Sequence, residues 1–94
     1  NYFLQIGGRI DGVFQYPQKT IIEEIKSTSV EPDYFRRNEN PLHWAQAKVY
    51  AYFYASQHNL AKIEVRLTYF QIETAKASEF HKHFKYNELE NFVN

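Results

Sequence analysis

Two apolar runs near the start of the chain carry charge where buried strands ordinarily carry none. The first, Gly8-Arg9-Ile10-Asp11-Gly12-Val13-Phe14, holds Asp11, and the second, Ile21-Ile22-Glu23-Glu24-Ile25-Lys26, holds two glutamates and a lysine. Taking a charged side chain out of water is costly unless it is paired or binds a metal. The stretch from Gly8 to Lys26 therefore has to form a fold and a charged site together.

Residues 9–14 alternate, which predicts an extended segment with Ile10, Gly12 and Phe14 on one side and Arg9, Asp11 and Val13 on the other. Upstream, residues 2–6 read as the end of a strand, and Gly7-Gly8 supplies a bend or bulge. The segment Gln15 to Lys19 has turn chemistry, so Thr20 to Lys26 reads as the returning strand of a β-hairpin. Side chains two apart on a strand share a face. Ile22, Glu24 and Lys26 then lie on one face and Ile21, Glu23 and Ile25 on the other. A hairpin partner brings Asp11 beside Glu24 and Lys26, so that two carboxylates and one ammonium cluster.

Ser27 to Asn40 is polar, contains Pro32 and shows no sustained period, which predicts a loop at the upper edge of ordinary connection lengths. Within it Arg36-Arg37 beside Tyr34-Phe35 suits phosphate and base contacts, a solvated surface loop being the equal alternative. Asn40-Pro41 is a strong helix start, with Asn as N-cap and Pro in the first turn. The helix is expected from Leu42 to about Gln57, with His58-Asn59 ending it. At helical spacing Leu42, Ala45, Val49, Phe53 and Ser56 form the stripe expected to pack on a sheet, and His43, Gln46, Tyr50 and Tyr54 form an adjoining stripe bordering a cleft.

Lys62 to Ile72 alternates again, with Ile63, Val65, Leu67 and Tyr69 on one face and Lys62, Glu64, Arg66 and Thr68 on a wet or functional one. Glu73 to Lys76 reads as a turn. Ala77 to Phe84 reads as a weaker edge strand, with a helix as the alternative. Asn87 and Glu90 resemble a capping box that opens a last short helix through Val93.

At 94 residues the chain makes one small domain. Eleven Lys and Arg balance eleven Asp and Glu, which excludes binding driven by bulk positive charge and leaves a nucleic-acid enzyme possible only with local cations. Cysteine is absent, excluding disulfides and thiolate metal sites. No apolar run approaches the roughly 18 residues that span a bilayer, so a soluble, cytoplasmic protein is expected. With no starting Met and an opening inside the apolar run Tyr2-Phe3-Leu4, the chain is expected to be a fragment of something longer.

An aspartate followed by Glu-x-Lys on a neighbouring strand suits metal-assisted phosphodiester hydrolysis. Magnesium takes oxygen ligands, often one or two carboxylates. The metal polarises phosphate and acidifies a bound water, while a lysine orients that water or stabilises developing charge. Alone, Glu-x-Lys fits a solvated strand face better than a site. Here it is preceded by Gly8-x-x-Asp11 and followed by Gln46-x-x-x-Tyr50.

With these three ordered motifs the sequence resembles the PD-(D/E)XK nuclease superfamily, in its RecB-like branch. The runs Ile-Glu-Glu-Ile-Lys-Ser-Thr, His-Trp-Ala-Gln-Ala-Lys-Val-Tyr-Ala-Tyr and Leu-Thr-Tyr-Phe-Gln-Ile-Glu-Thr look like the nuclease module of bacterial XPD-like (DinG-like) helicases, over residues 8–74. The resemblance implies an α/β fold with a restriction-endonuclease-like core, a central mixed four-stranded sheet with flanking helices. It implies Mg2+ or Mn2+ held by Asp11, Glu24 and the backbone carbonyl of Ile25, with Lys26 as the catalytic lysine and Gln46 and Tyr50 lining the active site. It further implies DNA as substrate, a role in repair or recombination, and a helicase domain in the same chain. Members of this branch often carry an additional His or acidic ligand on an upstream helix; only ten residues precede Asp11, so that helix is expected to be missing. The competing expectation is a catalytically silent DNA-binding or interaction domain of a helicase with the same fold, and a third is a purely structural module.

Other charged and aromatic positions read more simply. Glu23 points away from Glu24 and is expected at the surface or in support of the site. His43 reads first as a helix-surface histidine and second as a site contributor, and Trp44 as a packing or interface ring ahead of a base-stacking platform. His81-x-His83 with Glu79 is a weak zinc pattern for want of a third strong ligand. Lys62 and Arg66 are equally suited to phosphate contact and to solvation.

Overall fold

The computed structural model describes residues 11–94. The strand end expected over residues 2–6, the Gly7-Gly8 bend, and Arg9 and Ile10 lie outside them. The described chain runs through β1 (Gly12–Tyr16), β2 (Lys19–Thr28), a short 3₁₀ turn (Pro32–Arg36), α1 (Pro41–His58), β3 (Lys62–Gln71), β4 (Lys76–Lys85) and α2 (Tyr86–Val93). The four strands form one mixed sheet in the order β1-β2-β3-β4. β1 and β2 are antiparallel, β2 and β3 parallel, and β3 and β4 antiparallel.

The hairpin is tighter than its sequence indicates. Gln15, Tyr16 and Lys19, expected in the turn, pair in the ladder, with Tyr16 opposite Lys19. Only Pro17 and Gln18 remain to turn the chain, where proline's fixed φ and missing N–H cost nothing. Parallel pairing of β2 with β3 needs a crossover, and α1 supplies it. The Asn40 side chain caps α1, accepting from the backbone N–H groups of Leu42 at 2.9 Å and His43 at 3.3 Å. Asn59, in the left-handed region at φ 54°, closes its C-terminus.

The long loop expected over residues 27–40 is partly structured. Ser27 and Thr28 extend β2, and Pro32 opens the 3₁₀ turn. This turn seats Phe35 flat on Tyr69, with ring centroids 3.7 Å apart and planes 6° from parallel. Residues 77–84 form part of β4, as expected, with Phe80 and Phe84 packed against the core and the helical alternative excluded. The final helix begins at Tyr86, not after Asn87. Its N-terminal contact is Lys85 N–H to Glu88 Oε1 at 2.7 Å, in place of the expected Asn87 and Glu90 pair.

The face of α1 that meets the sheet differs from the expected stripe. Trp44, Ala47, Tyr50, Ala51 and Ala55 are buried, while Leu42 is 75% exposed and Ala45, Val49 and Phe53 are only partly covered. Large apolar side chains surround this helix, so size does not mark its inner face. The three alanines do: with so little side chain they bring the α1 backbone down onto Ile22, Val65 and Leu67, with the Trp44 ring in the same cluster. Leu89 of α2 completes the same cluster, so both helices serve one face of the sheet.

The opposite face, carrying Glu64, Arg66 and Thr68, is less wet than its alternation indicates. Glu64 and Thr68 are buried under neighbouring polar side chains. Glu23 accepts from Arg66 Nε at 2.8 Å and from Thr68 Oγ1 at 3.0 Å. His81 Nδ1 lies 2.6 Å from Glu64 Oε2.

The packing of α1 is open to a direct check. Ala51→Leu is expected to destabilise the protein by roughly 1–3 kcal/mol through overpacking, whereas Leu42→Ala is expected to change stability by no more than about 0.5 kcal/mol. Urea denaturation of both variants measures the difference.

Candidate active site

The β-period places Ile22, Glu24 and Lys26 on the α1 side of β2, and burial separates their environments. Ile22 is fully buried and Glu24 is only 4% exposed. Lys26, nearer the end of the strand, is half-buried. Glu24 is thus a carboxylate at the margin of an apolar core. Burial is the main influence on it and raises its pKa; Lys26 opposes that shift and Asp11 adds to it.

Asp11 stands at the point where the hairpin ladder changes character. Gly12 and Glu23 make its last described rung. One position further, the Asp11 carboxylate accepts from the Ile25 backbone N–H at 2.8 Å. A strand residue directs its N–H and C=O to the same side, so the Ile25 carbonyl faces the edge that Asp11 occupies. The Ile25 side chain projects onto the other face and is half-exposed.

Lys26 is the hub. Its Nζ donates to Gln46 Oε1 at 2.7 Å and lies 3.3 Å from Glu24 Oε2. That second contact is an ion pair without hydrogen-bond alignment, for among the described residues Glu24 Oε2 is buried with no hydrogen-bond partner. One turn along α1, Tyr50 approaches Gln46 Nε2 at 3.4 Å, a long contact. Burial foremost, then the negative charge of Glu24, keeps the Tyr50 phenol protonated by raising its pKa. The five expected side chains, Asp11, Glu24, Lys26, Gln46 and Tyr50, therefore come together in one place.

The donor set fits a hard divalent cation. Two carboxylates and a backbone carbonyl are oxygen ligands of the kind magnesium and manganese take, and a buried carboxylate oxygen without a hydrogen bond has unused acceptor capacity. Among the described residues no group of three or more His, Cys, Asp or Glu side chains is placed to hold a metal. A cation here would take Asp11 and Glu24 as its side-chain ligands, with the Ile25 carbonyl beside them. In the His81-x-His83 pattern the neighbouring acid is Glu64: it lies 2.6 Å from His81 Nδ1 and 3.6 Å from His83 Nε2, and Lys19 Nζ comes within 3.9 Å of the same Glu64 carboxylate.

Arg36 and Arg37 do not join the cluster. Arg36 forms a two-pronged contact with Asp33, at 2.8 and 3.2 Å, and lies over the Phe80 ring of β4. Arg37 ends the 3₁₀ turn, exposed. Phe35, expected beside them for base contact, is spent on Tyr69. Arg66 is likewise engaged by Glu23, while Lys62 stays exposed. Trp44 is buried with Lys82 Nζ 4.5 Å above its ring, the packing role expected. Two surface concavities lie away from the cluster, one lined by Ser56, Asn59 and Lys85 and the other by Gln18, Glu64 and His83.

His43 and Tyr69 adjoin the cluster in a way the sequence showed only in part. Tyr69 is the β3 partner of Lys26 in the ladder, and its hydroxyl lies 2.8 Å from His43 Nδ1. Tyr69 shares the phase of Ile63, Val65 and Leu67 and reads as core; the signal for something more is its hydroxyl, which a buried tyrosine has to satisfy.

Comparison with known proteins adds the fold. No family model and no curated protein matches the chain. Among solved structures the chain is similar to one titled "Crystal structure of SSO0001", with a TM-score of 0.51 and 17% identity, over 92% of this chain and 37% of that one. The chain thus spans well under half the length of that protein. The likeness is one of fold: α/β, with a mixed four-stranded sheet and two helices.

The Glu24–Lys26 pair has a pH signature. With the Glu24 pKa raised above its ordinary 4.5, its ionised form costs stability at neutral pH, and the cost vanishes once the pH falls below the unfolded value. Lys26→Met removes the cation that offsets this cost. It is expected to destabilise by about 1–3 kcal/mol at pH 7, with the loss shrinking toward pH ~4 as Glu24 takes up a proton. Chemical denaturation across that range measures it, with Glu24→Gln/Lys26→Met expected to lack the pH dependence.

Proposed function

We propose that this chain is a divalent-metal-dependent DNA nuclease module with a restriction-endonuclease-like core, of the RecB-like branch of the PD-(D/E)XK superfamily. The observation that carries the reading is the state of Glu24: a carboxylate held almost out of water, one oxygen without a hydrogen bond among the described residues, beside an ammonium and a second carboxylate. Burial of a carboxylate with acceptor capacity to spare is costly, and a bound cation would offset that cost. The resemblance to the nuclease module of bacterial XPD-like helicases supplies the substrate class and the association with a helicase and with DNA repair or recombination.

Asp11, Glu24 and the Ile25 carbonyl are the groups that would hold Mg2+ or Mn2+. A divalent cation bound there stabilises negative charge on the phosphate and favours deprotonation of the attacking water. The protein's own work is to fix the other partners. Gln46 Oε1 holds the Lys26 ammonium in place, so that Lys26 can donate to the water or to a non-bridging phosphate oxygen without first losing side-chain entropy. Tyr50, protonated, backs Gln46 from the next turn of α1. In the hydrolysis the water oxygen bonds to phosphorus, one phosphorus–oxygen ester bond breaks, and the departing oxygen takes up a proton.

The test is cleavage of labelled single-stranded and duplex DNA with Mn2+ or Mg2+. Asp11→Ala and Lys26→Ala are each expected to lower the rate by at least about 100-fold, with metal affinity falling mainly in the first. Equal cleavage by the wild type and both variants would reject the site. DNA binding without cleavage and without need of metal would instead identify a silent module of the same fold.

A further inference from the structure

His43 occupies a position that the reading above leaves unused. It sits one turn before Gln46 on α1, and its Nδ1 lies 2.8 Å from the hydroxyl of Tyr69, the strand neighbour of Lys26. Phe35 stacks on the Tyr69 ring, and the His43 ring is tilted against both aromatics, its centroid 5.6 Å from that of Tyr69 and 6.5 Å from that of Phe35. The imidazole is thereby held in a fixed orientation next to the lysine corner.

The direction of the His43–Tyr69 hydrogen bond follows from burial. Tyr69 is 1% exposed, and burial, assisted by Glu39, pushes its pKa up to about 12, so the phenol keeps its proton. A buried hydroxyl hydrogen needs an acceptor, and Nδ1 is the one beside it. Nδ1 is then unprotonated and the proton of the neutral ring lies on Nε2. The charged and titratable groups facing the ring, Lys26 from β2 and Tyr69 from β3, agree with a neutral state: burial first and the Lys26 charge second lower the His43 pKa. With Nδ1 turned to Tyr69, the partly exposed ring carries Nε2–H on its opposite edge.

We infer that His43 is a substrate-positioning residue, a neutral Nε2–H donor to a phosphodiester oxygen of the DNA strand engaged at Lys26, held in that tautomer by the Tyr69 hydroxyl. This rests on the nuclease reading for its substrate and on the His43–Tyr69–Lys26 juxtaposition for its geometry. A neutral donor adds a directed hydrogen bond beside Lys26 without placing a second positive charge there.

Two conservative variants separate this role from a merely structural one. Glutamine places an amide N–H near the Nε2 position, whereas asparagine places its amide near Nδ1 and can serve only Tyr69. The readouts are kcat/KM for cleavage of a single-stranded oligonucleotide with Mn2+, and metal-free affinity for that oligonucleotide by fluorescence anisotropy. His43→Ala is expected to lower kcat/KM by about 10–100-fold, His43→Asn to match it, and His43→Gln to recover most of the loss. Affinity should fall in the same order. The double variant His43→Ala/Tyr69→Phe, which leaves no orphaned hydroxyl, is expected to remain as impaired as His43→Ala. Nitrogen NMR of the wild-type imidazole is expected to show protonation at Nε2 alone near pH 7. Rescue by Asn instead of Gln, wild-type behaviour of His43→Ala, or a proton on Nδ1 would overturn the inference. If the wild type cleaves nothing, the nuclease reading fails, and the anisotropy order and the NMR tautomer still decide for or against His43.

Discussion

Everything at this site depends on one carboxylate that the strand period forces inward. Glu24 lies between Ile22 and Lys26 on the face of β2 that α1 covers. It cannot turn to solvent without carrying its strand neighbours to the wrong face, because a one-residue slip reverses every side chain. The chain accommodates the charge with Lys26 at 3.3 Å on one side and the apolar margin of the core on the other. The result is a site whose position is fixed by the sheet register rather than by a flexible loop.

Glu23, the adjacent residue, shows what a satisfied carboxylate looks like in the same strand. On the opposite face it accepts from both Arg66 and Thr68, and the Arg66 guanidinium is further held over the Phe14 ring. Both glutamates are poorly exposed and both have a cation nearby. Only Glu24 is left with a buried oxygen outside any hydrogen bond among the described residues. Glu23 serves to cement β2 to β3, and Glu24 is the one with capacity to spare. The same contrast runs through the basic residues: Arg36 and Arg66 are committed to carboxylates of the fold, while Lys26 stands between two partners at the edge of the cluster.

Much of this was legible in the sequence. The β-period of residues 20–26 and the hairpin set Asp11 beside Glu24 and Lys26, helical spacing put Gln46 and Tyr50 on one stripe bordering a cleft, and the family resemblance joined the two groups. The Asn40-Pro41 start of α1 and the alternation of β3 were equally direct. The inner face of α1 was not, because leucine, valine and phenylalanine distract from Ala47, Ala51 and Ala55, whose small size is what lets the helix approach. The 3₁₀ turn escaped notice because its anchor, Phe35 on Tyr69, is a contact between distant segments and leaves no local period. That same contact took the ring away from the exposed role expected of it, and the local Asp33 partner took Arg36. His43 was visible as a member of the Gln46 stripe, yet its orientation depends on a tyrosine 26 residues away.

The central claim is that Asp11, Glu24 and the Ile25 carbonyl form a divalent-cation site. The most direct measurement is a Mn2+ titration of the 15N-labelled protein, in which paramagnetic broadening reports distance from the ion. Amide signals of Gly12, Glu24, Ile25 and Lys26 are expected to broaden first, and those of β4 last. Broadening centred on Glu64, His81 and His83, or none that is localised at all, would contradict the claim.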